Sequence, residues 1–148
     1  MTRLAMAMGS VGGAIGPIYA TGLLAVAAKM RSLPSPAGPP SVEYLAACAA
    51  AAESAIAALG GAKPGDKTVL DALHPATEAL RNAKDEPVAD ALSAAASAAR
   101  EGAAATAELV AVVGRASRLG ERSRGMADPG ASSLALILES VAQVYRAG

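Results

Sequence analysis

SVEYLAACAAAAESAIAALGG, residues 41–61, decides the fold class. Ser41 is a good N-cap, because its hydroxyl can accept from a backbone N–H of the first turn. Leu45, Cys48, Ala52, Ile56 and Leu59 then recur on one helical face. Gly60 and Gly61 end the run, since glycine takes the left-handed conformation that closes helices. The same composition extends outward in both directions. Alanine dominates, β-branched residues are sparse, and there is no Phe or Trp. Alanine is the best helix former and a poor strand residue, so the chain reads as all-α. Its 148 residues suit one domain, 1–148, with a real core. Alanine cores let helices approach closely but bury little apolar area per residue, so modest stability or help from a partner chain is expected.

Thirteen basic and thirteen acidic residues balance to a formal charge of zero. That argues against nucleic acid or an anionic membrane surface as the partner, because both need a concentrated positive field. One cysteine, Cys48, excludes an internal disulfide framework and fits a buried thiol in a cytoplasmic protein. Leu4 to Ala28 carries no charge, which is long enough to span a bilayer or mimic a signal peptide. Its glycines at 9, 12, 13, 16 and 22, with Pro17, read instead as a loop entering a helix. A small-residue helix contact through Gly9 and Gly13 is the other reading.

The remaining elements follow from punctuation. A first helix is expected over Pro17 to Arg31, then a stiff turn through Pro34, Pro36, Pro39 and Pro40. Asp66 is expected to cap the helix carrying Val69, Leu70, Leu73 and Leu80, with a kink near Asp71 caused by Pro75. The next helix is expected from Glu86 and Pro87 to about Val113, with Gly102 as its weak point. A polar connection runs from Gly114 to Gly130. The last helix begins at Ala131 to Ser133 and carries Leu134, Ile137, Leu138, Val141 and Val144. No strand pattern or internal repeat is visible, and short turns between helices favour an antiparallel up-and-down bundle.

Three loops are richer than connectors require. Gly12, Gly13 and Gly16 precede a helix, where backbone N–H groups and the helix dipole attract an anion. The plainer reading is a tight turn. Gly60 to Thr68 offers glycines, a hydroxyl and Lys63 or Lys67 as counter-charge to phosphate, yet has neither the pattern nor the strand of a P-loop. Its plainer reading is a helix end followed by an Asp cap. Gly114 to Gly130 holds Arg115, Arg118, Arg122 and Arg124. The first three share a face if the stretch is helical, and guanidinium forks suit phosphate oxygens. A solvated charged loop is its plainer reading. Asp128-Pro129-Gly130 reads as a turn into the last helix. His74, just before Pro75, has no triad or metal-ligand context and reads as structural.

Val-Gly-Gly-Ala-Ile-Gly-Pro-Ile-Tyr (11–19), Gly-Asp-Lys-Thr-Val-Leu-Asp-Ala-Leu (65–73), Gly-Arg-Ala-Ser-Arg-Leu-Gly-Glu-Arg-Ser (114–123) and Asp-Pro-Gly-Ala (128–131) occur in this order over nearly the whole chain. Together they resemble the nucleotide-binding L subunit, or C-terminal domain, of dihydroxyacetone kinases. The resemblance implies a barrel of eight amphipathic helices with ADP or ATP at one end. It implies that Gly13, Ala14 and Ile15 contact phosphate, that Gly60 and Val69 flank the nucleotide, and that Arg115, Asp128, Pro129 and Gly130 complete the pocket. It also implies transfer of a phosphoryl group to dihydroxyacetone, or a similar small ketose or triose, held by a partner subunit or domain. A phosphocarrier subunit of the phosphotransferase system is the further partner it suggests.

Three departures stand out. Ile15 replaces a usual Ser, and Val69 a common Met. Family members carry two further N-terminal helices, joined by a Gly-Asp-Gly-Asp-His-Gly signature whose aspartates hold magnesium. Here the glycine loop starts near residue 9, so that segment is expected to be missing. Asp66 and Asp71 have half its spacing, but position 73 is Leu. Either the chain is a fragment or mis-started reading frame, or it is a degenerate domain, and a degenerate, non-catalytic binding or regulatory module is the alternative function. Loss of two helices is also expected to leave an apolar seam. Leu4, Ile18, Leu23 and Leu24 would lie on one side and Leu134, Ile137, Leu138 and Val141 on the other. Such a chain is expected to form a homodimer, shift its first helix against its last, or aggregate, and not to behave as a nucleotide-responsive monomer.

Overall fold

Gly22 and Gly102, two glycines in helix interiors, show how this chain packs, and a computed structural model describes it over residues 2–9 and 13–147. The α-helices are α1 (Thr2–Gly9), α2 (Ile15–Ser32), α3 (Val42–Gly60), α4 (Leu70–Asn82), α5 (Val88–Ala105) and α6 (Pro129–Ala147). Tighter 3-10 turns occupy Thr106–Glu108 and Arg115–Ser123. The described residues form no strand. Consecutive helices are neighbours, as an up-and-down bundle requires, and α4 also meets α6.

The expected boundaries hold around residues 41–61. The Ser41 hydroxyl accepts from the Tyr44 N–H at 3.2 Å, and Gly61 closes α3 at φ 64°. Residues 2–9 are helical, where a loop was expected. Val11 and Gly12, at the centre of the glycine loop, lie outside the described residues. The uncharged stretch from Leu4 is thus divided between α1 and α2. By length and composition, the described helix apolar enough to cross a membrane is α3. Its Val42, Ala46, Cys48, Ala52 and Ile56 are nonetheless buried against neighbouring helices.

Most of the core is alanine. Ala72 and Ala76 of α4, Ala91, Ala95, Ala99 and Ala103 of α5, and Ala131 and Ala135 of α6 form one buried cluster with Leu80 and Leu92. A second joins Ala52 and Ile56 to Val69, Leu70 and Leu73, with Ile18 and Val26 packed against it. Pro75 has no N–H, so the Asp71 carbonyl lacks its helical donor. Gly102 fits over that spot, because a Cβ there would stand 2.1 Å from the Asp71 oxygen and 2.9 Å from Pro75 Cγ. The expected weak point is a requirement of close packing.

Helix α5 ends at Ala105 rather than near Val113. The carbonyls beyond it have non-local partners: Ala107 accepts from the Gly125 N–H at 2.8 Å, and Glu108 from the Arg124 guanidinium. Helix α6 starts at Pro129, earlier than expected, and Asp128 is its N-cap, with Oδ2 2.8 Å from the Ala131 N–H. Along the expected seam Leu4, Leu24, Ile137 and Val141 are exposed, while Ile18, Leu23, Leu134 and Leu138 are half-buried. One bond crosses from α2 to α6 there, Tyr19 Oη to Ser133 Oγ at 2.8 Å. The Ser133 hydrogen is committed to the Gly130 carbonyl, so Tyr19 is the donor. His74 Nδ1 lies 2.7 Å from Glu53 Oε1 and ties α4 to α3, a structural role.

Candidate functional site

The α3–α4 loop turns through Gly61, Gly65 and Lys67, all with positive φ. Asp66 does not cap α4. Its Oδ2 accepts from the Lys63 N–H at 2.9 Å and stays within the loop. The cap comes from Thr68, whose hydroxyl accepts from the Leu70 N–H, and from Asp71, which reaches back to the Thr68 N–H at 2.7 Å and the Gly65 N–H at 2.5 Å. The loop therefore spends these amides on its own carboxylates. Lys67 is spent too: its Nζ donates to the Leu109 carbonyl at 3.0 Å and to the Ser123 carbonyl. Neither the amides at 65 and 68 nor the bulk of the Lys67 ammonium is free to meet phosphate as the sequence suggested.

The strap from Leu109 to Arg124 is seated by residues that the sequence reading passed over. Ser123 is buried, donates to the Gly120 carbonyl and accepts from the Ala111 N–H at 2.9 Å. Thr106, fully buried, donates to the Ala103 carbonyl and accepts from the Asp128 N–H at 2.7 Å. It joins the end of α5 to the start of α6. One polar residue closing an alanine run was the available signal. Arg115 and Arg118 lie on one 3-10 turn, but Arg122 follows a break, so the face expected of the three is divided. The 3-10 segment breaks at Gly120 (φ 53°, ψ −132°), and Arg124 pairs with Glu121 at 3.2 Å. Of the four, Arg115 lines the cleft below.

These pieces enclose a cleft of about 350 Å³ at the loop end of the bundle. Gly13, Ala14 and Ile15 line it from the start of α2, Val69 from the start of α4, and Arg115 from the strap. Asp128, Pro129 and Gly130 line it from the start of α6. Gly60 borders an adjoining hollow of about 170 Å³, whose walls share Ile18, Thr68, Val69 and Val113 with the cleft. Gly130 sits at the tightest point: a Cβ there would lie 2.9 Å from Asp128 Oδ2, 3.5 Å from Ile15 and 3.7 Å from Val69. A larger and more open hollow, about 410 Å³, lies between α5 and α6, where Arg100 and Glu139 pair at 3.6 Å. It has neither the glycine-lined walls nor the helix starts of the loop end.

Three helix starts, those of α2, α4 and α6, meet the cleft, and they differ. Asp128 caps α6, Thr68 and Asp71 serve α4, and among the described residues no side chain caps α2. The first N–H groups of an uncapped helix are orphan donors, carrying the positive end of the dipole. Burial pushes the Asp128 carboxyl above its ordinary value. Hydrogen bonds from the Ala131 and Gly130 amides oppose this, nearby Asp71 adds to it, and Lys67 lowers it. Burial likewise raises the Tyr19 hydroxyl. Among the described residues no three His, Cys, Asp or Glu side chains come together as a metal cage. Asp66 and Asp71, the two with the magnesium-like spacing, hold backbone amides.

Residues 1–143 match the model of a family described as DAK2 domain. The chain is 45% identical over 133 residues to D-erythrulose kinase of Mycolicibacterium smegmatis, covering 88% of this chain and 22% of that protein. It is 36% identical over 137 residues to the PEP-dependent dihydroxyacetone kinase, ADP-binding subunit DhaL, of Escherichia coli, covering 91% of this chain and 63% of that one. Against dihydroxyacetone kinase of Komagataella pastoris it is 32% identical, with 94% of this chain and 23% of the relative covered.

Proposed function

This chain belongs to the DAK2 domain family, and we propose that it is the nucleotide-binding part of a kinase that phosphorylates dihydroxyacetone or a similar small ketose or triose. The observation that carries the reading is the cleft itself. It gathers Gly13, Ala14, Ile15, Val69, Arg115, Asp128, Pro129 and Gly130, which lie far apart in sequence, around one volume. Its apolar parts, Ile15, Ile18, Val69 and Val113, suit a base or sugar face, and Arg115 with the start of α2 suits phosphate oxygens. That a relative is named as an ADP-binding subunit supports ADP as ligand.

Phosphoryl transfer asks a protein for positioning and charge neutralisation more than for covalent chemistry. Arg115 and the α2 amides supply the neutralisation, and the apolar wall fixes the nucleotide against them. The described residues offer no magnesium cage, so these groups alone carry the reading here. That a relative is named as one subunit of a dihydroxyacetone kinase supports an acceptor held by a partner subunit or domain. A phosphocarrier subunit as donor is part of the same proposal, as is a homodimer formed through the exposed apolar residues of α2 and α6.

Mixing the chain with a dihydroxyacetone-binding kinase subunit, a phosphoryl donor and the ketose tests this. Phosphorylated ketose, formed only when the chain is present, is the expected result. ADP binding without turnover would instead favour a binding or regulatory module. Absence of both would remove the proposal.

A further inference from the structure

Among the described residues Lys67 is the one non-glycine with a left-handed backbone, at φ 62°, and it is also buried. That combination is costly on both counts, since its Cβ crowds the backbone and its amine leaves water. The side chain must repay it. Its Nζ bridges the carbonyls of Leu109 and Ser123, the two ends of the strap that carries Arg115. The backbone around it completes the seat: the Val112 N–H donates to the Asp66 carbonyl at 3.3 Å, and the Ala111 N–H to Ser123 Oγ. An ammonium has three donors. Two are committed to carbonyls, leaving at most one for the cleft that Lys67 lines.

We infer that Lys67 is a positioning residue, which sets Arg115 for phosphate by pinning both ends of the strap rather than by binding the nucleotide itself. The inference rests on the reading of the cleft as a nucleotide site. It predicts that the effects of Lys67 and Arg115 are coupled. Lys67→Met keeps the aliphatic stem and removes the amine. Lys67→Gly removes the amine and relieves the backbone, so it guards against a variant that simply fails to fold.

Two measurements decide it. By calorimetry with ADP, Lys67→Met should weaken binding about tenfold, the scale of one charge-assisted hydrogen bond. The same change in an Arg115→Ala background should matter less than about twofold, because interacting residues are not additive. Multiplying effects would mean that Lys67 meets the nucleotide independently, and would overturn the inference. Without ligand, amide hydrogen exchange across residues 109–124 should rise by about tenfold or more in both variants, with α3, α4 and α5 unchanged. An unchanged strap, or unfolding of both variants, would overturn it as well. A parent chain that binds ADP while the coupling is absent defeats this inference alone, whereas a parent chain that binds no ADP defeats the nucleotide reading beneath it.

Discussion

Helices α4 and α5 meet through backbone; α2 and α6 meet through a tether. At the first contact, Gly102 lets α5 settle on the Asp71 carbonyl that Pro75 leaves unpaired, and a run of alanines on both helices is almost fully buried. At the second, the Tyr19–Ser133 hydrogen bond crosses the gap. Helix α2 fully buries only Gly16, Gly22 and Ala27. Leu24 on α2 and Leu136, Ile137, Val141 and Val144 on α6 remain exposed. The cleft draws residues from both regions. Its Val69 and strap walls stand on the packed side, and its Gly13 to Ile15 wall stands on the tethered side. The difference teaches that alanine helices are fixed by how closely their backbones approach. Where that approach is missing, little apolar area remains to hold the helices together.

Gly102→Ala should have the largest effect, because a methyl 2.1 Å from a carbonyl oxygen forces two backbones apart. A loss of about 3 kcal/mol, the top of the usual overpacking range, is expected in urea unfolding. A loss below about 1 kcal/mol would break the comparison by showing that this contact is no tighter than its counterpart.

Tyr19→Phe should cost less, about 1 kcal/mol for one hydrogen bond. Amide exchange should rise in α2 and the first turn of α6 and stay unchanged in α4 and α5. A cost equal to that of Gly102→Ala would mean that the α2–α6 side is bound by more than a tether.

Asp128→Asn gives the smallest effect, and sharpens the comparison electrostatically. The folded Asp128 carboxyl titrates above its ordinary 3.8, chiefly through burial. The folded state therefore holds this proton more tightly than the unfolded chain does. The associated stability is fully present below the ordinary value and is lost as pH rises through the raised folded value. Asn keeps an oxygen for the α6 cap while removing the charge. Melting temperatures between about pH 3 and about pH 7 should thus decline less with rising pH in the variant. A parallel pair of profiles would show that the Asp128 charge is already well solvated.

The helical class and α3 with both its ends were legible in the sequence, because Ser41, the spaced apolar face and Gly61 are local signals. Most cleft residues were legible as well, through glycine, arginine and Asp-Pro-Gly in family order. What local signals could not show was competition. Asp66 and Thr68 are equally good caps on paper, and the choice went to Thr68 with Asp71 reaching back to amides that Asp66 does not touch. The end of α5 was hidden because alanine continues to favour helix past Ala105, while partners from residues 123–128 claim the carbonyls and hydroxyl there. Lys67 looked like a phosphate ligand because its two carbonyl partners lie 42 and 56 residues away.

The most direct test of the central claim, that the cleft holds a nucleotide, is a thermal melt of this chain and its Arg115→Ala variant with and without magnesium-ADP. Sedimentation under the same conditions would fix the oligomeric state. An open seam between α2 and α6 would by itself leave a monomer unresponsive. The assembled cleft makes the chain respond, and a response is the expected outcome. ADP at about a hundred times its Kd adds about 2.7 kcal/mol, which raises the melting temperature by roughly 5–10 °C in a domain of this size. Arg115→Ala should weaken binding about ten- to a hundred-fold and remove from about half to most of that rise at the same ADP concentration. A parent chain whose melting temperature does not move with magnesium-ADP, or an Arg115→Ala variant that responds as strongly as the parent, would contradict it.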